Sequence, residues 1–140
     1  MKEVRVEKLI IYTDGGARNN PGPAGIGIVI MDSSRNVIET YKEYIGEKTN
    51  NQAEYQALIK ALELAKEKSE NLEFYLDSQL VVNQAKGLFK VKNSEIRNLL
   101  FKVKTLEQNF TNIAYYFVPR EQNKEADKLV NQAIDEAIKK

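Results

Sequence analysis

Thr13-Asp14-Gly15-Gly16-Ala17-Arg18-Asn19-Asn20-Pro21-Gly22-Pro23-Ala24-Gly25 decides how the rest of this chain is read. The residues before it, 3–13, alternate or run apolar, so Asp14 reads as an acid at the end of a strand. The residues after Asp14 are rich in Gly, Asn and Pro, the make-up of a loop that exposes backbone N–H groups. A second apolar run, 24–31, comes next, and Gly25 and Gly27 inside it mark a close approach of another backbone.

Asp32-Ser33-Ser34-Arg35-Asn36 is a turn and 37–45 a third strand rich in β-branched and aromatic residues. Three strands on short connections predict an antiparallel meander. Then the period changes. Thr49-Asn50-Asn51-Gln52 fits a capping box, and Glu54, Ala57, Leu58, Ala61, Leu62 and Ala65 follow at helical spacing. Residues 72–77 read as a strand with Leu72, Phe74 and Leu76 on one face. Ser78 to Lys86 reads as a helix stopped by Gly87, 94–108 as an amphipathic helix and 112–118 as a fifth strand ended by Pro119. A last helix over 122–138 carries a stripe at Ala126, Leu129, Val130, Ala133, Ile134, Ala137 and Ile138. The order β-β-β-α-β-α-α-β-α predicts an α/β fold, one mixed sheet with helices on its faces. The 140 residues are expected to form one domain over 1–140.

Composition narrows the chemistry. The chain has no cysteine and no histidine. That excludes disulfides, thiolate metal sites, the usual zinc ligands and the Ser/Cys–His triads. Catalysis must rest on carboxylates, lysines, hydroxyls or oxygen-bound metal ions. No apolar run approaches the roughly 18 residues of a membrane span, and the N-terminus alternates charge and apolar residues unlike a signal peptide; no membrane association and a cytoplasmic location are expected. The net charge of +1 hides an uneven spread. Between residues 86 and 104, Lys86, Lys90, Lys92, Arg97, Lys102 and Lys104 face only Glu95. Such a stretch can track a nucleic-acid backbone or be a solvated helix face.

Four acids stand out. Asp14 and Asp77 sit at the carboxyl ends of strands, Glu54 on the apolar side of its helix, and Asp127 in line with Val130 and Ile134. Each has a plainer use: Asp14 as the start of a turn, Asp77 as a helix N-cap, Glu54 with its stem snorkelling, Asp127 as a helix-edge acid. The set says more than its members, because open α/β sheets place ligands beyond the strand ends. Four converging carboxylates cannot all ionise without cations, and oxygen-only donors select Mg²⁺ or Mn²⁺ over zinc.

These stretches match a known family. The chain resembles type 1 ribonuclease H over nearly its full length. The likeness rests on Tyr12-Thr13-Asp14-Gly15-Gly16 with Asn20-Pro21-Gly22-Pro23, on Thr49-Asn50-Asn51-Gln52-Ala53-Glu54, on Leu76-Asp77-Ser78-Gln79-Leu80-Val81, and on Val118-Pro119-Arg120-Glu121-Gln122-Asn123-Lys124-Glu125-Ala126-Asp127. The resemblance implies a five-stranded mixed sheet, three antiparallel strands followed by two parallel ones, with helices on both faces. It implies an endoribonuclease that cuts the RNA strand of RNA–DNA hybrids and leaves 5′-phosphate and 3′-hydroxyl ends. Its catalytic and metal-binding acids fall on Asp14, Glu54, Asp77 and Asp127, with Asp14 bridging two Mg²⁺ ions about 3.5–4 Å apart, one activating water and one stabilising the leaving oxygen. Mn²⁺ is the expected substitute. Substrate contacts fall on Gly15, Gly16, Asn20, Asn50 and Gln79 in the minor groove, and on Thr49 and Asn51 at a DNA-strand phosphate.

The chain also departs from the family pattern. The loop histidine of many relatives is missing, and Glu121 is the candidate for part of its role. The basic protrusion of bacterial members is reduced to Gly87-Leu88-Phe89-Lys90-Val91-Lys92-Asn93, with Lys86, Lys90 and Lys92 as partial substitutes. That places the chain near the compact, archaeal or thermophile-like branch. The alternatives are a catalytically weak module that binds hybrid or double-stranded RNA, and the ribonuclease H domain of a reverse transcriptase. Met1 directly before the first strand favours a stand-alone protein, and a monomer is expected.

Overall fold

The apolar and alternating runs form five strands of one sheet in the computed structural model, which describes residues 6–139. These are β1 (Leu9–Ala17), β2 (Gly22–Met31), β3 (Val37–Lys48), β4 (Asn71–Leu76) and β5 (Asn112–Phe117), in the spatial order β3-β2-β1-β4-β5. β2 is antiparallel to both β1 and β3, while β4 runs parallel to β1 and to β5. The four helices are α1 (Asn50–Ala65), α2 (Gln79–Ala85), α3 (Ser94–Glu107) and α4 (Lys124–Ile138). The expected mixed sheet, three antiparallel strands followed by two parallel ones, is the observed one.

Strand alternation sorts the sheet into two faces. Leu9, Ile11, Ile28, Ile30, Leu72, Phe74 and Leu76 point to one side and form a core with Tyr55, Leu58, Ala61 and Leu62 of α1, Val81, Val82 and Ala85 of α2, and Val103 of α3. On the other side α4 lies across β2. A Cβ on Gly27 would stand 2.2 Å from Ala126 O and 2.8 Å from Leu129 Cβ. The absent side chain is what lets the helix approach the strand.

Three expectations are corrected. The first strand, expected over 3–13, starts at Leu9; residues 3–5 of it lie outside the described residues, and Val6–Lys8 are not in the ladder. Part of their backbone bonds elsewhere, with Val6 N donating to Lys68 O at 2.8 Å and Glu7 O accepting from Asn71 Nδ2 at 2.9 Å. At its other end β1 does not stop at Asp14. It continues through Gly15, Gly16 and Ala17, paired with Ile26, Gly25 and Ala24, so the loop shrinks to Arg18–Pro21. Glycine-rich sequence here means close packing between elements, not loop. Finally, α4 begins at Lys124 after a 3₁₀ turn over Arg120–Gln122, and of its predicted stripe Ala137 and Ile138 are exposed in the last turn.

The packing of α4 yields a stability test. Gly27→Ala forces a methyl into the helix backbone and is expected to cost about 3 kcal/mol, lowering Tm by roughly 10 °C. Gly16→Ala, whose Cβ would meet only Val130 Cγ1 at 3.8 Å, should cost less than about 1 kcal/mol. Side-by-side thermal melts check this, and equal melting points would mean that α4 is not seated so closely on β2.

Candidate active site

β1 has unlike neighbours. Antiparallel β2 accompanies it to Ala17, but parallel β4 pairs with it only as far as Tyr12 and Tyr75. Beyond that point polar side chains meet the freed edge of β1. Thr13 O accepts from Asn123 Nδ2 at 2.9 Å, and Ala17 N donates to Asn50 Oδ1 at 2.8 Å. Asp14 lies within this stretch, opposite Gly27 in the ladder and only 9% exposed.

The other acids reach the same point from three elements. α1 is anchored by the predicted capping box: Gln52 N donates to Thr49 Oγ1 at 3.1 Å, and Thr49 N donates to Gln52 Oε1 at 2.9 Å. Gly15 allows the helix down onto β1, since a Cβ there would lie 2.1 Å from Ala53 O. The next residue, Glu54, is thereby set beside Asp14. Asp77 follows the last residue of β4. It is not the cap of α2; Ser78 takes that task, with Val81 N donating to Ser78 Oγ at 3.2 Å. Asp127 stands in the first turn of α4. Carboxylate oxygens of Asp14, Glu54 and Asp77 fall within 4.8 Å of one another, and Asp127 lines the same cleft close enough to act on Asp14.

Such crowding perturbs titration. Burial, then the charges of Asp77 and Asp127, the hydrogen bond with Asp127 and the charge of Glu54, push the Asp14 carboxyl up to about 8. Burial likewise raises Glu54 to about 7, with the Asp77 charge adding to it and Ser78 and Arg120 opposing it. Asp14 and Glu54 are therefore held away from the charged state that they would take in water, and a positive charge placed among them would reverse this.

The acids line an open cleft of about 690 Å³ together with Gly15, Gly16, Asn50, Asn51 and Arg120. Asn20 borders it indirectly, its Oδ1 accepting from Asn50 N at 2.9 Å. Thr49 is engaged in the α1 cap, and Gln79 is exposed at the start of α2. Lys86, Lys90 and Lys92 are exposed and do not line the cleft. Glu121 does not line it either; it borders a separate hollow with Arg35 and Lys124. The neighbouring Arg120 faces the acids instead, because the 3₁₀ turn sends successive side chains in different directions. Arg120 and Asn123 escaped the sequence reading. Their signal was position, Asn123 one helical turn before Asp127.

Similarity to known proteins follows the same outline. The family model described as "Reverse transcriptase-like" matches residues 12–133. The crystal structure of RNase H1 from the halophilic archaeon Halobacterium salinarum superimposes with a TM-score of 0.90 at 37% identity, over 92% of this chain and 98% of that one. The chain belongs to the type 1 ribonuclease H family. LC11-RNase H1, solved in complex with an RNA/DNA hybrid, is 46% identical over 93% of this chain and 99% of that one, with a TM-score of 0.88. The bifunctional protein Rv2228c of Mycobacterium tuberculosis is 42% identical over 93% of this chain. This chain spans 36% of that protein's length and 64% of the Halobacterium ribonuclease HI sequence.

The raised carboxyls of this family member set a pH dependence. Asp14 binds its proton more tightly folded than unfolded, so the metal-free protein is expected to lose stability as pH rises from about 4 to about 8. Asp14→Asn should flatten this slope and raise the metal-free Tm by about 5–10 °C at pH 7.5, with little change near pH 4. Melting curves in chelator across that range check it. A variant melting at or below wild type at pH 7.5, with its native fold intact, contradicts the repulsion.

Proposed function

We propose that this chain is a metal-dependent endoribonuclease that hydrolyses the RNA strand of RNA–DNA hybrids. The observation that carries the reading is the convergence of the Asp14, Glu54 and Asp77 carboxylates within 4.8 Å, in a chain of this family. The donor set fits Mg²⁺, with Mn²⁺ as a substitute: it is all oxygen and anionic, without nitrogen or sulfur ligands. A cation held among these acids would offset the burial and like charge that push Asp14 up. Asp14, Glu54 and Asp77 would hold the ions, with Asp127 beside Asp14. Divalent ions there supply a nucleophile at neutral pH and neutralise charge on a leaving oxygen.

The protein's own groups place the substrate. Gly15 is covered by α1, whereas the half-buried Gly16 leaves its backbone uncovered in the cleft near Asp14, so a sugar–phosphate chain can come close there. Ala17 N and Asn20 Oδ1 orient Asn50 at the rim. Asn20, Asn50 and Gln79 would read the minor groove, where the 2′-OH marks the strand as RNA. Thr49 and Asn51 at the α1 N-terminus would meet a phosphate of the other strand. Arg120, which lines the same cleft and whose charge acts on Glu54, would supply the positive charge that a scissile phosphate needs near four acids.

End-labelled RNA–DNA hybrid, double-stranded RNA and duplex DNA, each with Mg²⁺, Mn²⁺ or chelator, test the reading. Cleavage of the RNA strand of the hybrid, abolished by chelator, is the expected result; absence of any metal-dependent cut would leave a binding module. Asp14→Asn should lower turnover at least 10³-fold, because a charged ligand is replaced by a neutral one. A variant keeping a tenth of wild-type turnover contradicts the role given to Asp14.

The exposed Lys86, Lys90 and Lys92 lie away from the cleft, where they would contact phosphates only. Replacing all three with Gln is expected to raise the Michaelis constant for hybrid and flatten its salt dependence by about 0.9 for each phosphate no longer neutralised. The maximal rate should hold, since such contacts act on ground and transition states alike. An unchanged constant and slope across a salt series would make them surface residues only.

A further inference from the structure

Asn123 is 1% exposed, and its carboxamide serves two chain segments at once. Nδ2 donates to Thr13 O at 2.9 Å and to Asp77 Oδ2 at 3.2 Å. Its backbone oxygen accepts from Asp127 N at 3.1 Å. One residue thus connects the strand of Asp14, the carboxylate of Asp77 and the helical turn of Asp127.

This arrangement is poor for stability alone. Asn123 stands at the N-cap of α4, a position Asn favours because its side chain can bond the first N–H groups. Here the side chain makes no such bond. Its Oδ1 is also buried with no hydrogen-bond partner among the described residues, which costs stability. The amide gives up the cap and leaves one atom unsatisfied in order to face Thr13 O and Asp77.

We propose that Asn123 is a positioning residue for cation binding: it holds Asp77 by one oxygen and fixes the spacing of the segments that carry Asp14, Asp77 and Asp127. The inference rests on the reading that these acids bind divalent cations. An unheld aspartate turns easily about its last torsion, which has broad wells. With Oδ2 engaged by Asn123, the other oxygen is left to face the neighbouring acids. A neutral amide does this without adding positive charge, so the cluster's demand for cations is undiminished; an arginine or lysine in its place would partly neutralise the cluster. Groups that orient metal ligands typically change metal affinity or activity 10–100-fold when removed.

The test is Mg²⁺ binding to the metal-free full chain by isothermal titration calorimetry, without substrate. Wild type, Asn123→Ala, Asp77→Ala and the double variant form a cycle. Asn123→Ala is expected to weaken Mg²⁺ binding about 10- to 100-fold, and to change it less than about threefold when Asp77 is already alanine. In hybrid cleavage it should raise the Mg²⁺ concentration for half-maximal rate by a like factor and leave the Michaelis constant for hybrid within about twofold. A folded Asn123→Ala protein that binds Mg²⁺ as wild type does, or an equal loss with and without Asp77, overturns the proposal. Wild type that binds no Mg²⁺ at millimolar concentration overturns the proposed function instead, so the two failures are distinct. Should Asn123→Ala not fold, the wild-type side-chain amide signals of Asn123 decide by NMR: slow exchange and movement during Mg²⁺ titration are expected, and signals unmoved at saturation contradict the role.

Discussion

Asp14 is buried against three other carboxylates, and the rest of the fold works to keep it there. Burial and like charge both oppose its ionised form. The opposition is contained because each acid is carried by a different rigid element: β1, α1, the end of β4 and the first turn of α4. A repulsive cluster on one loop would spread apart. Here it can relax only by moving whole elements against a packed core, and the core is dense on both faces of the sheet. The result is a preformed cluster of carboxyls whose charged forms a positive charge placed among them would favour.

The sheet topology makes room for that cluster. β1 is the hinge between the antiparallel and the parallel halves, and β4 pairs with it only to Tyr12. Where β4 leaves, side chains from α1 and the α4 entry take over the backbone of β1. Ligands in open α/β sheets gather at such places, where strand ends diverge. The glycines of β1 and β2 set the depth: Gly15 lowers α1 toward Asp14, and Gly27 seats α4 so that Asp127 comes within reach.

Much of this was legible in the chain. Helical and strand periods gave the five strands and four α-helices in order, though not the 3₁₀ turn before α4, and Thr49 to Gln52 named its own capping box. The four acids stood out because each occupied a place where an unpartnered charge is costly. The illegible part was tertiary in origin. Gly15 to Ala17 read as loop by composition, yet β2 pairs with all three residues. Asp77 had a strong claim to cap α2, but Ser78 one residue on took it and freed the carboxylate. Arg120 and Glu121 are adjacent, and only the 3₁₀ turn decides that the arginine faces the acids. Asn123 fell unmarked inside the helix expected over 122–138, and nothing local tells that its amide reaches across to Asp77 and Thr13.

The function proposed above requires that Asp14, Glu54 and Asp77 form one cation site. Anomalous X-ray diffraction from crystals of this protein grown with Mn²⁺ tests it most directly. Strong peaks are predicted at ligand distance from the Asp14 carboxylate, shared with Glu54 or Asp77. A fully occupied Mn²⁺ elsewhere, with none touching Asp14, would contradict the account.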